Sequence, residues 1–232
     1  MDCDQIVDRL KSMSNPEAVA GMARFGINPN NTYGVSIPAL RKIAKEISRD
    51  HALAQQLWAT GIHEARILAS FIDVPDLVSE EQMERWAMDF DSWDVCDQCC
   101  ASLFDKVPLA YQKAIQWSER SEEFVKRAGF ALMAALAWHD KLASDEQFAE
   151  FFPVIVRAST DERNFVKKAV NWALRQIGKR NMNLNRMAIE VSREIQRIDS
   201  RAARWIASDA LRELTSESVQ KRLSNGQLRT SA

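Results

Sequence analysis

The sequence predicts an all-α chain, a right-handed superhelical solenoid of stacked antiparallel helical hairpins. Three observations predict it. Apolar residues recur at intervals of three and four along residues 124–136 and again along 165–175, the period of a helix with one buried face. Those stretches, FVKRAGFALMAAL and FVKKAVNWALRQI, align without gaps and start 41 residues apart. Only 7 Gly and 6 Pro interrupt 232 residues, and no Asn-Gly pair lies between alternating β-branched runs, so strand signals are close to absent.

Taken in order, the elements support the same reading. The N-terminal MDCDQIVDRLKSMS is acidic and amphipathic, unlike a secretory leader. Polar connectors follow at Ser14-Asn15-Pro16 and Pro29-Asn30-Asn31. EARILASFIDVP, residues 64–75, has the small-residue, aliphatic texture of a repeat helix, and Pro75 ends it. Further connectors stand at Val74-Pro75-Asp76 and Ser159-Thr160-Asp161, and SRAARWIASDALREL from Ser200 is a weaker third echo of the repeat. Asn225-Gly226 is expected to end the last helix. A repeat near forty residues falls in the range of HEAT and armadillo units. One such unit cannot bury its apolar face alone, so neighbours must stack. No Gly/Ser-rich linker occurs, which predicts a single HEAT-like-repeat domain over residues 1–225 and a flexible tail at 226–232.

Apolar residues make up 46% and charged residues 27%, the balance of a globular chain with a sizeable core. No run of eighteen apolar residues occurs, so no membrane partner is expected. Three of the four cysteines crowd at Cys96, Cys99 and Cys100. That is poor geometry for a disulfide framework and points to a reduced, cytoplasmic setting. Charge is distributed unevenly: residues 1–119 hold 11 Lys/Arg against 18 Asp/Glu, and residues 120–232 hold 20 against 14. Such asymmetry marks either a surface for an anionic polymer in the C-terminal half or ordinary solvated helix faces.

The most unusual stretch is Asp91-Ser92-Trp93-Asp94-Val95-Cys96-Asp97-Gln98. With Ser92 or Asp91 as cap, Trp93 and Asp97 stand at i and i+4 on one helix face. An aromatic plane beside a carboxylate suits a cationic or electron-poor partner; capping and core packing are the alternatives. Arg127 and Trp172 lie on the two matching repeat helices, and Arg127 could equally bridge to the next repeat. Arg175, Lys167, Lys168, Lys179, Arg180, Arg201 and Arg204 are candidate phosphate contacts or solvated surface. Cys96-Asp97-Gln98-Cys99 has CxxC spacing but no second pair, so no metal site is expected. The histidines, His51, His63 and His139, are scattered. No Walker loop, GxGxxG or HExxH is present, and no cofactor is implied.

Together NPEAVAGMARFGI (15–27), GVSIPALRKIAKEI (34–47), DSWDVCDQ (91–98), FVKRAGFALMA (124–134) and FVKKAVNWALRQIGK (165–179) resemble the AlkD-type DNA alkylation-repair proteins, over roughly residues 5–215. That family comprises HEAT-like-repeat DNA glycosylases that hold duplex DNA on a concave basic surface and cut the N-glycosidic bonds of cationic alkylpurines. The resemblance implies Asp97 as catalytic carboxylate and Trp93 and Trp172 as aromatic walls against the lesion's sugar and backbone. It implies Arg127 as a phosphate contact and Arg175 as a further DNA contact. It also implies duplex DNA carrying alkylated bases as partner; separately, no cofactor and a monomer are expected. Two positions depart from it: Phe25 stands where a Tyr is expected, and Ser36 where a longer polar side chain is. A non-catalytic module for damaged or distorted DNA and a protein-interaction scaffold are the other functions open to such a solenoid.

Overall fold

The structure is a computed structural model describing residues 1–230, with side chains described through Asn225. Every regular element among them is helical. The chain divides into two compact units, one spanning Met1–Leu109 and one beginning at Ala110. The charge asymmetry follows that division: the first unit holds 10 Lys/Arg against 17 Asp/Glu, the second 21 against 15.

The first unit contains α1 (Cys3–Ser12), α2 (Pro16–Arg24), α3 (Ile37–Ile47), α4 (His51–Ala59), α5 (His63–Ile72), α6 (Glu80–Met88) and α7 (Trp93–Ser102). Local chemistry sets their starts. Asn15 caps α2 by accepting the Ala18 N–H at 3.0 Å, and Pro16 takes the first helical position, where its missing donor costs nothing. Helix α5 ends at Ile72, three residues before Pro75. Helices α3, α5 and α7 pack in a row, while α1 lies against α4 and α5. Trp58 of α4 stacks on Trp86 of α6 at 3.9 Å between centroids, nearly parallel.

The second unit contains α8 (Ala110–Ser118), α9 (Glu123–His139), α10 (Asp145–Ala149), α11 (Phe151–Ala158), α12 (Asn164–Gly178), α13 (Met182–Gln196), α14 (Arg201–Leu214) and α15 (Glu217–Thr230). Helices α9, α12 and α14 form one row and α8, α11 and α13 the other, the two-layer arrangement of helical-hairpin repeats. Matching residues meet across the repeat, the Phe124 and Phe165 rings tilted 34° with centroids 5.5 Å apart. Polar ties keep register: Arg127 to the Phe165 carbonyl, Asn171 to Asp209 and Arg175 to Glu213 each join residues 38 apart. Glu162 accepts the Ala202 N–H at 3.0 Å, so one repeat supplies an acceptor to the first turn of the next.

Asn225-Gly226 lies inside α15 rather than ending the last helix. A Gly within a helix costs only about 1 kcal/mol against Ala, too little by itself to terminate one. The tail expected at 226–232 falls on residues whose side chains, and for 231–232 whose backbone, lie outside the described residues.

The α8–α9 crossing depends on Gly129. A Cβ there would stand 2.5 Å from the Ser118 nitrogen and 2.8 Å from the Ala114 carbonyl oxygen, both backbone atoms that cannot rotate away. Gly129→Ala is expected to destabilise the protein by about 2 kcal/mol in urea unfolding. An unchanged unfolding midpoint would show that the helices separate freely.

Candidate functional site

Trp93 and Asp97 are carried by α7. The helix starts at Trp93, with Ser92 in extended backbone at the N-cap position. The Ser92 hydroxyl does not cap the helix; it accepts the backbone N–H of Asn28 at 3.0 Å. Val95, Cys96, Cys99 and Cys100 turn into the core, leaving Trp93, Asp94, Asp97 and Gln98 half-buried on the opposite side. Trp93 and Asp97 therefore share one partly exposed face, a turn apart, as their spacing predicts. The neighbouring cysteines are core residues, and burial pushes the Cys99 and Cys100 thiols well up, so both pack as small protonated hydrophobes. Among the described residues no three His, Cys, Asp or Glu side chains gather as a metal site.

The indole of Trp93 is oriented from a distance. Its Nε1–H donates to the Phe25 carbonyl at 3.0 Å, and Phe25 itself, just past α2, is 74% exposed. The loop from Gly26 to Ser36 is held by the fully buried carboxylate of Glu64. It accepts the backbone N–H groups of Tyr33 at 2.9 Å, Gly34 at 2.6 Å and Val35 at 3.2 Å. Gly34 has φ +79°, and a Cβ there would lie 2.5 Å from the Asn15 carbonyl, so this turn requires glycine. Asn28 then ties the loop to the start of α7, its amide donating to Asp91 at 2.7 Å. On the same face of α7, Gln98 accepts from Arg41 of α3 at 3.1 Å, and the Arg41 guanidinium lies 4.5 Å from the centre of the Phe71 ring. Ser36 occupies the N-cap position of α3 without a side-chain cap bond.

His63, on α5, donates from Nε2 to Asp94 Oδ2 at 2.9 Å, with 4% and 13% of the two side chains exposed. Burial pulls the imidazole pKa down. The hydrogen bond to Asp94 and the charges of Asp94, Glu64 and Asp91 outweigh it, and the net shift is upward.

The other residues singled out from the sequence belong to the second unit. Trp172 is half-buried on α12, and Lys168 is exposed on the same helix. Lys167 is half-buried, its ammonium 5.2 Å from the centre of the Trp205 ring on α14. Arg175 is half-buried and paired with Glu213, with its Nε 3.7 Å from Asp209. Lys179 shares Glu213 at 2.6 Å. Arg127 is only 6% exposed, and its Nη1 donates to the Phe165 carbonyl at 2.6 Å. Its guanidinium joins α9 to the first turn of α12 rather than reaching outward, and the cross-repeat bridge ends on a carbonyl. A phosphate contact needs guanidinium surface that solvent reaches, which this burial withholds. Sequence spacing did not reveal Glu64, His63, Arg41 or the Phe25 carbonyl, because each acts across 29 to 68 residues. Trp205 carried a signal in the third repeat echo.

Residues 6–214 match a family model described as DNA alkylation repair enzyme. A solved structure from a family of proteins related to the HEAT-like repeat DNA glycosylases, with affinity for branched DNA structures, aligns with TM-score 0.77 and 21% identity. It covers 97% of this chain and 95% of that one. That likeness shows the fold: HEAT-like helical repeats. Two designed armadillo repeat proteins, one in complex with a (KR)4 peptide, align at TM-score 0.35 and 17% identity. They cover 77% and 81% of this chain and 92% and 89% of theirs. No curated protein matches significantly.

The His63–Asp94 pair makes stability pH-dependent with a definite sign. The folded-state imidazole pKa lies above its unfolded value, so the pair's contribution is fully present below about pH 6.5 and is lost as pH rises through the folded pKa. In urea unfolding, wild-type stability is expected to fall more than that of His63→Gln between about pH 6 and about pH 9. Parallel pH profiles would contradict this.

Proposed function

The chain belongs to the DNA alkylation repair enzyme family, and on that premise we propose that it is a DNA glycosylase acting on cationic alkylpurines. The substrates are N7-alkylguanine and N3-alkyladenine in duplex DNA, cleaved by a monomer without a cofactor. The observation that carries this reading is the shared, partly exposed face of Trp93 and Asp97 on α7.

The substrate's chemistry explains why so few groups suffice. An N7- or N3-alkylated purine already carries positive charge. When the bond from C1′ to the purine nitrogen breaks, its electron pair neutralises the leaving base, and no strong general acid is needed. The sugar is left oxocarbenium-like, and a fixed carboxylate, Asp97, stabilises that charge as it develops. The same carboxylate orients a water for attack on C1′ and accepts its proton. Trp93, held at its indole nitrogen by the Phe25 carbonyl, presents a ring face to the cationic sugar, worth about 0.5–2 kcal/mol.

The second unit, with its excess of positive charge, supplies DNA contacts in this reading. Lys168 is exposed for phosphate, Lys167 reaches phosphate beside Trp205, and Trp172 offers an aromatic surface. Arg175 reaches phosphate only by exchanging Glu213 for it. Arg127 serves by fixing the start of the helix that bears these residues.

Phe25 favours a second reading, DNA binding without excision. An exposed phenyl ring beside Trp93 stands where the resemblance implies a tyrosine hydroxyl. The relative described by affinity for branched DNA structures is consistent with it.

One experiment separates the two. Methylated duplex DNA is incubated with excess protein, and released N7-methylguanine and N3-methyladenine are quantified. The glycosylase reading expects release by wild type and about 100-fold slower release by Asp97→Asn. If wild type releases neither base but binds DNA with a steep salt dependence unchanged by Asp97→Asn, binding without excision replaces it.

A further inference from the structure

We propose that the second unit holds a separate binding pocket for an unpaired nucleotide, at the C-terminal ends of α9 and α12. It extends the DNA reading above but rests on none of the residues assigned there.

The pocket is an open cavity of about 460 Å³, within the size range of small-ligand sites. Trp138, Lys141, Lys179, Arg180, Asn181 and Arg222 line it, and among the described residues no carboxylate does. Part of this charge has a structural reason, because cations offset the carbonyls at helix C-termini. Arg180 donates to the Ala143 carbonyl at 2.8 Å and to that of Ala137 at 3.3 Å, and Arg222 to that of Lys179 at 3.2 Å. Lys179 is paired with Glu213.

Helix ends do not account for the other two residues. Lys141 is exposed and pairs with no carboxylate among the described residues. Trp138 is 63% exposed at the last turn of α9, stacked on His139 at 4.8 Å. The nearest carboxylates are already engaged. Asp140 accepts the Tyr111 hydroxyl and the N–H groups of Leu142 and Ala143, and Asp145 accepts the amides of Asn181 and Asn183. Leu142 follows Lys141 at a loop tip, 97% exposed.

An exposed indole beside an unpaired ammonium and two arginines matches the two parts of a nucleotide. Cations take the phosphate, and the ring takes the face of a base. Duplex DNA offers the phosphates but hides its base faces in the stack, so the ring selects a base that is out of the stack. The shared ligand chemistry is a nucleoside phosphate, either free or as an unpaired residue of a DNA strand.

The test measures binding of a fluorescent oligothymidylate, the same strand in a duplex, and thymidine monophosphate as competitor. Trp138→Ala is expected to weaken oligothymidylate binding at least about fivefold while duplex binding stays unchanged. Lys141→Glu is expected to weaken it and to reduce its salt dependence. Competition by the monophosphate against wild type identifies a free nucleotide as a ligand; its absence identifies the strand. Equal oligothymidylate affinity in wild type and both variants overturns the proposal, as does failure of wild type to bind either probe. Base release from methylated duplex is read separately on the same variants and stays at the wild-type level if only the pocket is lost.

Discussion

The buried carboxylate of Glu64 is the interaction on which the loop beside the Trp93–Asp97 face depends. Three consecutive backbone N–H groups, those of Tyr33, Gly34 and Val35, converge on it from a loop with no ladder partner of its own. Each donor left without an acceptor in the interior would cost about 1–3 kcal/mol, so the carboxylate decides whether this loop has one conformation. From the same loop Asn28 reaches Asp91 and Ser92, and Phe25 at its start accepts the Trp93 indole. A glutamate on α5 is thus linked to the indole of an aromatic ring on α7 through the backbone of this loop. A second buried acid, Asp73 at the end of α5, joins the other layer. It accepts from Gln82 at 2.6 Å and Val74 N–H at 2.7 Å, and meets His51 at 2.6 Å.

The second unit solves a different problem, keeping like helices in register. Small residues let α9 and α12 approach, and their interdigitated surfaces fix the pairing. The polar ties 38 residues apart add directional bonds between matching positions of successive repeats. Arg127 and Arg175 are spent on this register. Two exposed cations stand at opposite ends of this helix pair: Lys168 near the start of α12, Lys141 just past the end of α9.

The helical class and the repeat were legible because they are written in local periodicity. The 41-residue match between Phe124 and Phe165 is a spacing that the contact between the two rings reproduces. The Trp93–Asp97 face was legible for the same reason, since i and i+4 share a helix side whatever the tertiary context. What the sequence concealed is long-range. A lone Glu64 in an Ala-rich helix looks like surface charge, and only the fold reveals three donors aimed at it. The resemblance implied Arg127 as a phosphate contact, and the rarity of buried unpaired arginine pointed instead to a bridge to the next repeat; the bond to the Phe165 carbonyl has no sequence signature.

In the proposed reading the ring must be fixed as well as the carboxylate, and the Trp93 indole is held by the Phe25 carbonyl at the start of the Glu64-held loop. The most direct test is exchange of indole N–H protons followed by nitrogen-15 NMR in wild type and Glu64→Gln. The Trp58 indole, which donates to Asp89 at 2.8 Å in the same unit, serves as internal reference. The account predicts that Trp93 exchanges about tenfold faster in the variant while Trp58 is unchanged. Unaltered protection of Trp93, or equal acceleration of both indoles, would contradict it.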